Sequence, residues 1–221
     1  SIRNLISSAK NELITPEGYV QYANDEYSNL VLEVYKRYQD KLAINNSMDF
    51  DDLLVLPIEL FKNNPRILKQ YQEKFKYVLV DEYQDTNHAQ YILIKMISAK
   101  YQNICVVGDS DQSIYSFRGS DYQNILNFEH DYKNVKTIIL EKNYRSTKTI
   151  LDVANSVIKN NKLRKEKNLY TDNDLGSKVI YHRSENEKDE AYYVKNQIEK
   201  NEFEYKNIAV LYRTNAQSRN M

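Results

Sequence analysis

The chain of 221 residues has one cysteine, three prolines, four glycines and no net charge, with 31 Lys and Arg against 31 Asp and Glu. Each scarcity excludes something. A single cysteine rules out a disulfide framework and a thiolate metal site, and makes a reducing, cytoplasmic compartment the default. Zero net charge removes any bulk electrostatic argument for nucleic acid or a membrane surface. No apolar run approaches the roughly 18 residues needed to span a bilayer, and the first residues do not read as a signal peptide. The glycines are Gly18, Gly108, Gly119 and Gly176. No pair fits G-x-x-x-x-G-K-S/T or G-x-G-x-x-G, so neither of the usual phosphate-holding glycine loops is present. The histidines, His88, His130 and His182, are scattered and propose no metal site.

What is there reads as an α/β protein. The length fits one or two domains with real cores. The first residue is Ser and the last stretch is strand-like, so both ends read as cut from a longer protein. Residues 1–45 read as helices, with Thr15-Pro16 as a cap and first-turn proline, and Leu30, Val31, Val34, Tyr35 and Tyr38 at helical spacing. A second helix is expected from Asp49, kinked or ended by Pro57, and a third from Asn64-Pro65. Apolar runs at Tyr77 to Val80, Ile104 to Val107 and Thr137 to Leu140 then alternate with helical stretches. That pattern predicts buried strands of a parallel sheet covered on both faces, with polar residues at the carboxyl ends, where ligands bind. Cys105 falls within such a strand and reads as an inert structural residue. Another helix is expected from Ser146, then strand, helix, strand at Lys178 to His182, about 186–200 and Ile208 to Tyr212, with a domain boundary near 141–146.

Three clusters carry chemistry. Asp81-Glu82 directly follows the first apolar run. Nucleotide hydrolysis uses such a pair, one carboxylate holding magnesium through its water shell and the other activating the attacking water; a solvated strand end with a cap at Asp85 explains it as well. The stretch from Val107 to Gly119 contains Gln112, long enough to sense a terminal phosphate, and Tyr115, Phe117 and Arg118. If extended, it places both rings on one face beside a cation, a stacking platform for unpaired bases; a loop with buried aromatics is the plain alternative. Arg145 precedes a helix start at the expected boundary, where an arginine finger would sit; a surface Arg paired with Glu141 or Glu129 is the alternative.

Together these stretches resemble the UvrD/PcrA/Rep family of superfamily 1A DNA helicases. Asp81-Glu82-Tyr83-Gln84-Asp85-Thr86-Asn87 is similar to its motif II, Gly108 to Ser120 to motif III, and Leu140 to Thr147 to motif IV. Met48 to Leu54 is similar to a further DNA-contacting motif, and Tyr212 to Arg219 to motif IVa. The resemblance implies parts of two RecA-like (P-loop NTPase) motor domains behind a helical segment: 1–45 the end of an inserted helical subdomain, 46–140 the second half of the first motor domain, and 141–221 the start of the second. It implies an ATP-dependent 3′-to-5′ translocase and helicase using ATP and Mg2+. Asp81 and Glu82 would serve the metal, Glu82 as general base. Gln112 would sense the γ-phosphate, Tyr144 would pack on the nucleotide base, and Arg145 would be an arginine finger. Phe50, Tyr115, Phe117, Arg118, Arg213 and Asn215 would contact DNA. Phe117 stands where close relatives commonly carry Trp, which implies weaker stacking.

Motif I, the adenine-reading Q motif and motifs V and VI have no counterpart in the sequence, so the chain reads as a middle fragment, inactive by itself. The implied partners are single-stranded DNA, duplex junctions, repair or replication proteins and the remainder of a helicase chain, with no membrane. A non-catalytic module binding single-stranded DNA or protein is the alternative. A magnesium phosphohydrolase built on Asp81 and Asp109 is a more remote one.

Overall fold

The computed structural model describes residues 1–162 and 164–219, with Arg118 described by its backbone alone. The chain falls into two compact units, each described by itself: 1–141 with 156–168, and 142–155 with the residues from 169 onward.

The first unit opens with helices α1 (Ile2–Asn11), α2 (Pro16–Tyr19) and α3 (Glu26–Ile44). Their ends are set locally. Thr15 accepts the Gly18 N–H ahead of Pro16, and Asp25 and Ser28 form a capping box at the start of α3. Ile6 and Ala9 of α1 pack against Val31 and Tyr35 of α3 in a buried cluster. The Tyr35 hydroxyl donates to the Ile14 carbonyl at 3.0 Å.

Helices α4 (Asp52–Asn63) and α5 (Pro65–Lys74) follow. Pro57 does not end α4, which continues to Asn63 with Ile58 and Phe61 buried. Burial of that apolar face outweighs the one backbone hydrogen bond that proline deletes. Lys10 ties α1 to α4. Its side chain is 1% exposed, with Nζ 2.8 Å from Asp49 Oδ2 and 2.7 Å from Asp52 Oδ1.

Strands β1 (Val78–Val80) and β2 (Ile104–Val106) pair in parallel, Val78 opposite Ile104 and Val80 opposite Val106, joined through α6 (His88–Ser98). The sheet is not covered on both faces as the apolar runs predict. α6 packs on one side, but Leu79 is 78% exposed and Cys105 is exposed too. Side chains alternate along a strand, so Leu79 and Cys105 share the face that no described element covers. The run at 137–140 forms no strand and leaves Ile138, Ile139 and Leu140 exposed.

After β1 the chain turns through Tyr83, which is fully buried and meets Phe128 edge to face, with centroids 5.7 Å apart. Phe128 begins α8 (Phe128–Asp131), just after α7 (Gln123–Leu126). Among the described residues, the buried Tyr83 hydroxyl has no hydrogen-bond partner. Tyr83→Phe is therefore expected to stabilise the protein by about 1 kcal/mol, because a buried unpaired hydroxyl carries an uncompensated desolvation cost. A thermal melt that falls would contradict this.

The second unit contains most of α9 (Lys148–Ile158), with Leu151 buried, and α10 (Glu187–Glu199), capped by Asn186. The stretches expected as strands at 178–182 and 208–212 are not strands. Ile180, Ile208 and Val210 instead line an apolar cavity of about 400 Å³ with Val194 and Ile198 of α10. An apolar run becomes a strand only when a neighbouring strand pairs with its backbone, and among the described residues the Ile208 N–H instead turns back to the Tyr205 carbonyl at 3.1 Å. Among the described residues, no helix is long and apolar enough to cross a membrane.

Candidate nucleotide and nucleic-acid site

Asp81 and Glu82 leave the end of β1, both exposed. Asp81 Oδ1 accepts the Glu82 N–H at 2.9 Å. Glu82 sits in the left-handed region at φ 50°, a conformation that a residue with a side chain rarely adopts.

Two residues on lies Gln84, 1% exposed. Its Nε2 donates to Glu82 Oε2 at 2.8 Å and its Oε1 accepts the Asp109 N–H at 2.9 Å. Its carbonyl accepts from the Ser113 hydroxyl at 3.3 Å. Gly108 makes this approach possible: a Cβ there would lie 2.5 Å from Gln84 Oε1 and 3.1 Å from the Tyr83 nitrogen. Asp109 caps a short turn at Ser110–Gln112, and its Oδ2 accepts from Gln112 Nε2 at 2.9 Å. One line of hydrogen bonds thus runs Glu82, Gln84, Asp109, Gln112. The same loops meet again further on, where the Asp121 N–H donates to the Thr86 carbonyl at 3.0 Å.

The segment after α9 bears on the 109–112 loop. Arg164 pairs with Asp111 at 2.9 Å, both side chains nearly buried, and Lys167 pairs with Asp109. Burial alone would raise the Asp109 carboxyl. The Lys167 ammonium, the Gln112 amide and the Asp111 N–H outweigh it and hold the group below the usual aspartate value.

Tyr115 and Phe117 come together, with ring centroids 6.0 Å apart, though not by the extended backbone the alternation suggests. Ser116–Arg118 is a helical turn, closed by Gly119 at φ 85°. Phe117 is 76% exposed. The side chain of Arg118 lies outside the described residues. Phe50 stands in solvent at 89% exposure. The backbone on either side of it is pinned: Asp49 and Asp52 exchange N–H to carboxylate bonds at 2.8 and 3.1 Å. Asn11 Nδ2 donates to Asp51 Oδ1 and Asn11 Oδ1 accepts from Asn87 Nδ2, tying the Phe50 turn to the end of the 81–87 stretch.

In the second unit, Tyr144 is 78% exposed, with Lys142 Nζ 5.5 Å from its ring centroid. The N–H groups of Arg145 and Ser146 both donate to Asn143 Oδ1. Within the first unit, Glu129 holds Lys165 and Glu141 accepts the Asn168 N–H. Arg213 and Asn215 are exposed ahead of a short turn at Gln217–Arg219.

Gln84, Asn11 and Lys10 do not stand out in the sequence, and Asp109 does so only as the second carboxylate of the remoter phosphohydrolase reading. The one trace of Gln84's place is Gly108, a glycine in a chain that has few. Asn11 and Asn87 are 76 residues apart and leave no local signal.

The chain matches the UvrD/REP helicase N-terminal domain over residues 1–133 and the UvrD-like helicase C-terminal domain over 138–221. It belongs to the UvrD/Rep helicase family, whose domains are RecA-like α/β motor domains, and it carries parts of two of them. It is 54% identical over 99% of its length to the ATP-dependent DNA helicase PcrA of Bacillus subtilis. Identity to the protein of the same name is 55% in Staphylococcus epidermidis and 54% in Staphylococcus aureus, each over 97% of the chain. The chain spans about 30% of the length of these relatives.

Proposed function

We propose that the chain is part of an ATP-dependent motor that moves 3′ to 5′ along single-stranded DNA and unwinds duplex ahead of it. The observation that carries this is the hydrogen-bond line from Glu82 through Gln84 and Asp109 to Gln112. It joins an acidic pair suited to nucleotide hydrolysis to the loop that presents Tyr115 and Phe117. In this reading, residues 81–87, 108–120, 140–147 and 212–219 are helicase motifs II, III, IV and IVa. Residues 1–45 end a helical insertion, 46–140 belong to the first motor domain and 141–221 to the second. DNA repair or replication in the cytoplasm is the setting that this reading implies.

Magnesium bound with nucleotide keeps several waters and takes one or two carboxylates beside the phosphates, and it neutralises phosphate charge. Asp81 fits that need, being exposed at the strand end with only one oxygen engaged by a backbone N–H. Glu82 accepts the proton of the attacking water. Gln112 contacts the terminal phosphate and Arg145 offers positive charge to it, while Tyr144 stacks on the base.

Phe50, Tyr115, Phe117, Arg118, Arg213 and Asn215 contact the DNA strand. With zero net charge, binding leans on stacking. Phe117→Ala is expected to weaken binding of a fluorescent single-stranded oligonucleotide about tenfold, at the value of about 1–3 kcal/mol per stacked base. The salt slope should not change, since no phosphate contact is removed. Unaltered affinity would remove Phe117 from the strand's path.

Phosphate release tests the whole reading. The 221 residues alone should show none, because they contain no phosphate-cradling glycine loop. A helicase of the relatives' full length carrying residues 1–221 should hydrolyse ATP and be stimulated by single-stranded DNA. DNA binding without hydrolysis in that longer chain would instead favour a binding module.

A further inference from the structure

We propose that Gln84 is a positioning residue of the hydrolytic reaction. It holds the Glu82 carboxylate and the 109–112 loop in one arrangement, so that a shift of Gln112 is felt at Glu82. This rests on the reading of the chain as part of a helicase motor.

The case begins with burial. Gln84 is 1% exposed in a stretch whose neighbours Asp81 and Glu82 are exposed. A buried carboxamide must satisfy both its ends. Its NH2 donates to Glu82 Oε2 at 2.8 Å and, more weakly, to Asp85 Oδ2 at 3.4 Å. Its oxygen accepts the Asp109 N–H at 2.9 Å. The network fixes the orientation. Flipped, the amide would set oxygen against a carboxylate and NH2 against an N–H. No other side chain of this length offers a donor at one side and an acceptor at the other. Gly108 completes the fit, since any Cβ would come within 2.5 Å of the amide oxygen.

An exposed glutamate samples many rotamers in water, and a general base works only within hydrogen-bond reach of the proton it takes. The Gln84 N–H restrains one oxygen of Glu82 and leaves the other for water. The same carboxamide anchors the Asp109 N–H, and Asp109 in turn holds Gln112 at 2.9 Å. The terminal-phosphate contact and the base are therefore two ends of one short line of bonds.

The test uses a helicase of the relatives' full length carrying residues 1–221, with Gln84→Glu and Gln84→Leu. Gln84→Glu keeps the size and the acceptor for Asp109 but loses the donor to Glu82, so it carries the test even if the leucine variant fails to fold. DNA-stimulated kcat is expected to fall about tenfold or more, with KM for ATP within about twofold. In a Glu82→Gln background the same change should cost less than about twofold, because it acts through the Glu82 carboxylate. Unchanged kcat in Gln84→Glu, or an equal loss in both backgrounds, overturns the proposal and leaves the helicase reading standing. Absence of DNA-stimulated hydrolysis in the unaltered chain overturns that reading itself, and this proposal with it.

Discussion

Replacing Lys10 by Met is expected to lower the free energy of unfolding by about 3–5 kcal/mol, as for other buried ion pairs that lose one partner. The Lys10 side chain is 1% exposed and that of Asp52 is 3% exposed. Asp52 Oδ1 has no hydrogen-bond partner among the described residues, so the ammonium 2.7 Å away is its compensation. Methionine fills much the same volume and leaves two carboxylates facing each other without a cation. Urea unfolding at neutral pH measures the loss, and adding Asp49→Asn and Asp52→Asn should restore much of it.

The same cluster sets a pH dependence. Burial would raise the Asp49 carboxyl, but Lys10, the Asp52 N–H and the Tyr38 hydroxyl together hold it below the usual value. A carboxyl depressed in the folded state stabilises above its unfolded pKa, about 3.9, and that contribution is lost as pH falls through the folded value. The unaltered protein should thus lose stability below about pH 4, and its curve should converge on that of Lys10→Met in acid. A difference that is constant with pH would contradict the ion-pair account.

Glu82→Gln in the full-length helicase is expected to lower DNA-stimulated kcat by about 10²–10⁴-fold, the usual contribution of a general base. Glutamine keeps the shape and can still meet Gln84, but it cannot take the proton from water. Nucleotide affinity should change little, because the carboxylate acts on the attacking water and not in holding the phosphates. Loss of affinity with kcat unaltered would place Glu82 in binding instead. Asp81→Asn should behave differently, raising the magnesium needed for half-maximal rate.

The parts of this molecule legible in the sequence are those set by near neighbours. The Thr15 cap, the proline start of α5 and the helices around 88–98 and 187–199 all follow from local spacing and capping chemistry. The strands are less legible, because a strand needs a partner that local sequence does not supply. Residues 78–80 and 104–106 find one another, whereas those at 137–140 do not. Apolarity did not distinguish these cases, and it wrongly implied that Leu79 and Cys105 would be covered. Within the candidate site, Asp81, Glu82, Gln112, Tyr115 and Phe117 are visible as residue types at the ends of apolar runs. Gln84 is not, since its role depends on a loop 25 residues away in the chain. Lys10 is hidden for the same reason, its carboxylate partners lying 39 and more residues on.

Unwinding polarity tests the central claim most directly. The full-length helicase carrying residues 1–221 should separate a labelled duplex with a 3′ single-stranded tail when ATP and magnesium are supplied. It should fail on the same duplex with a 5′ tail, and Glu82→Gln should abolish the reaction on the 3′-tailed duplex. Preference for the 5′ tail, or strand separation that persists in Glu82→Gln, would contradict the account.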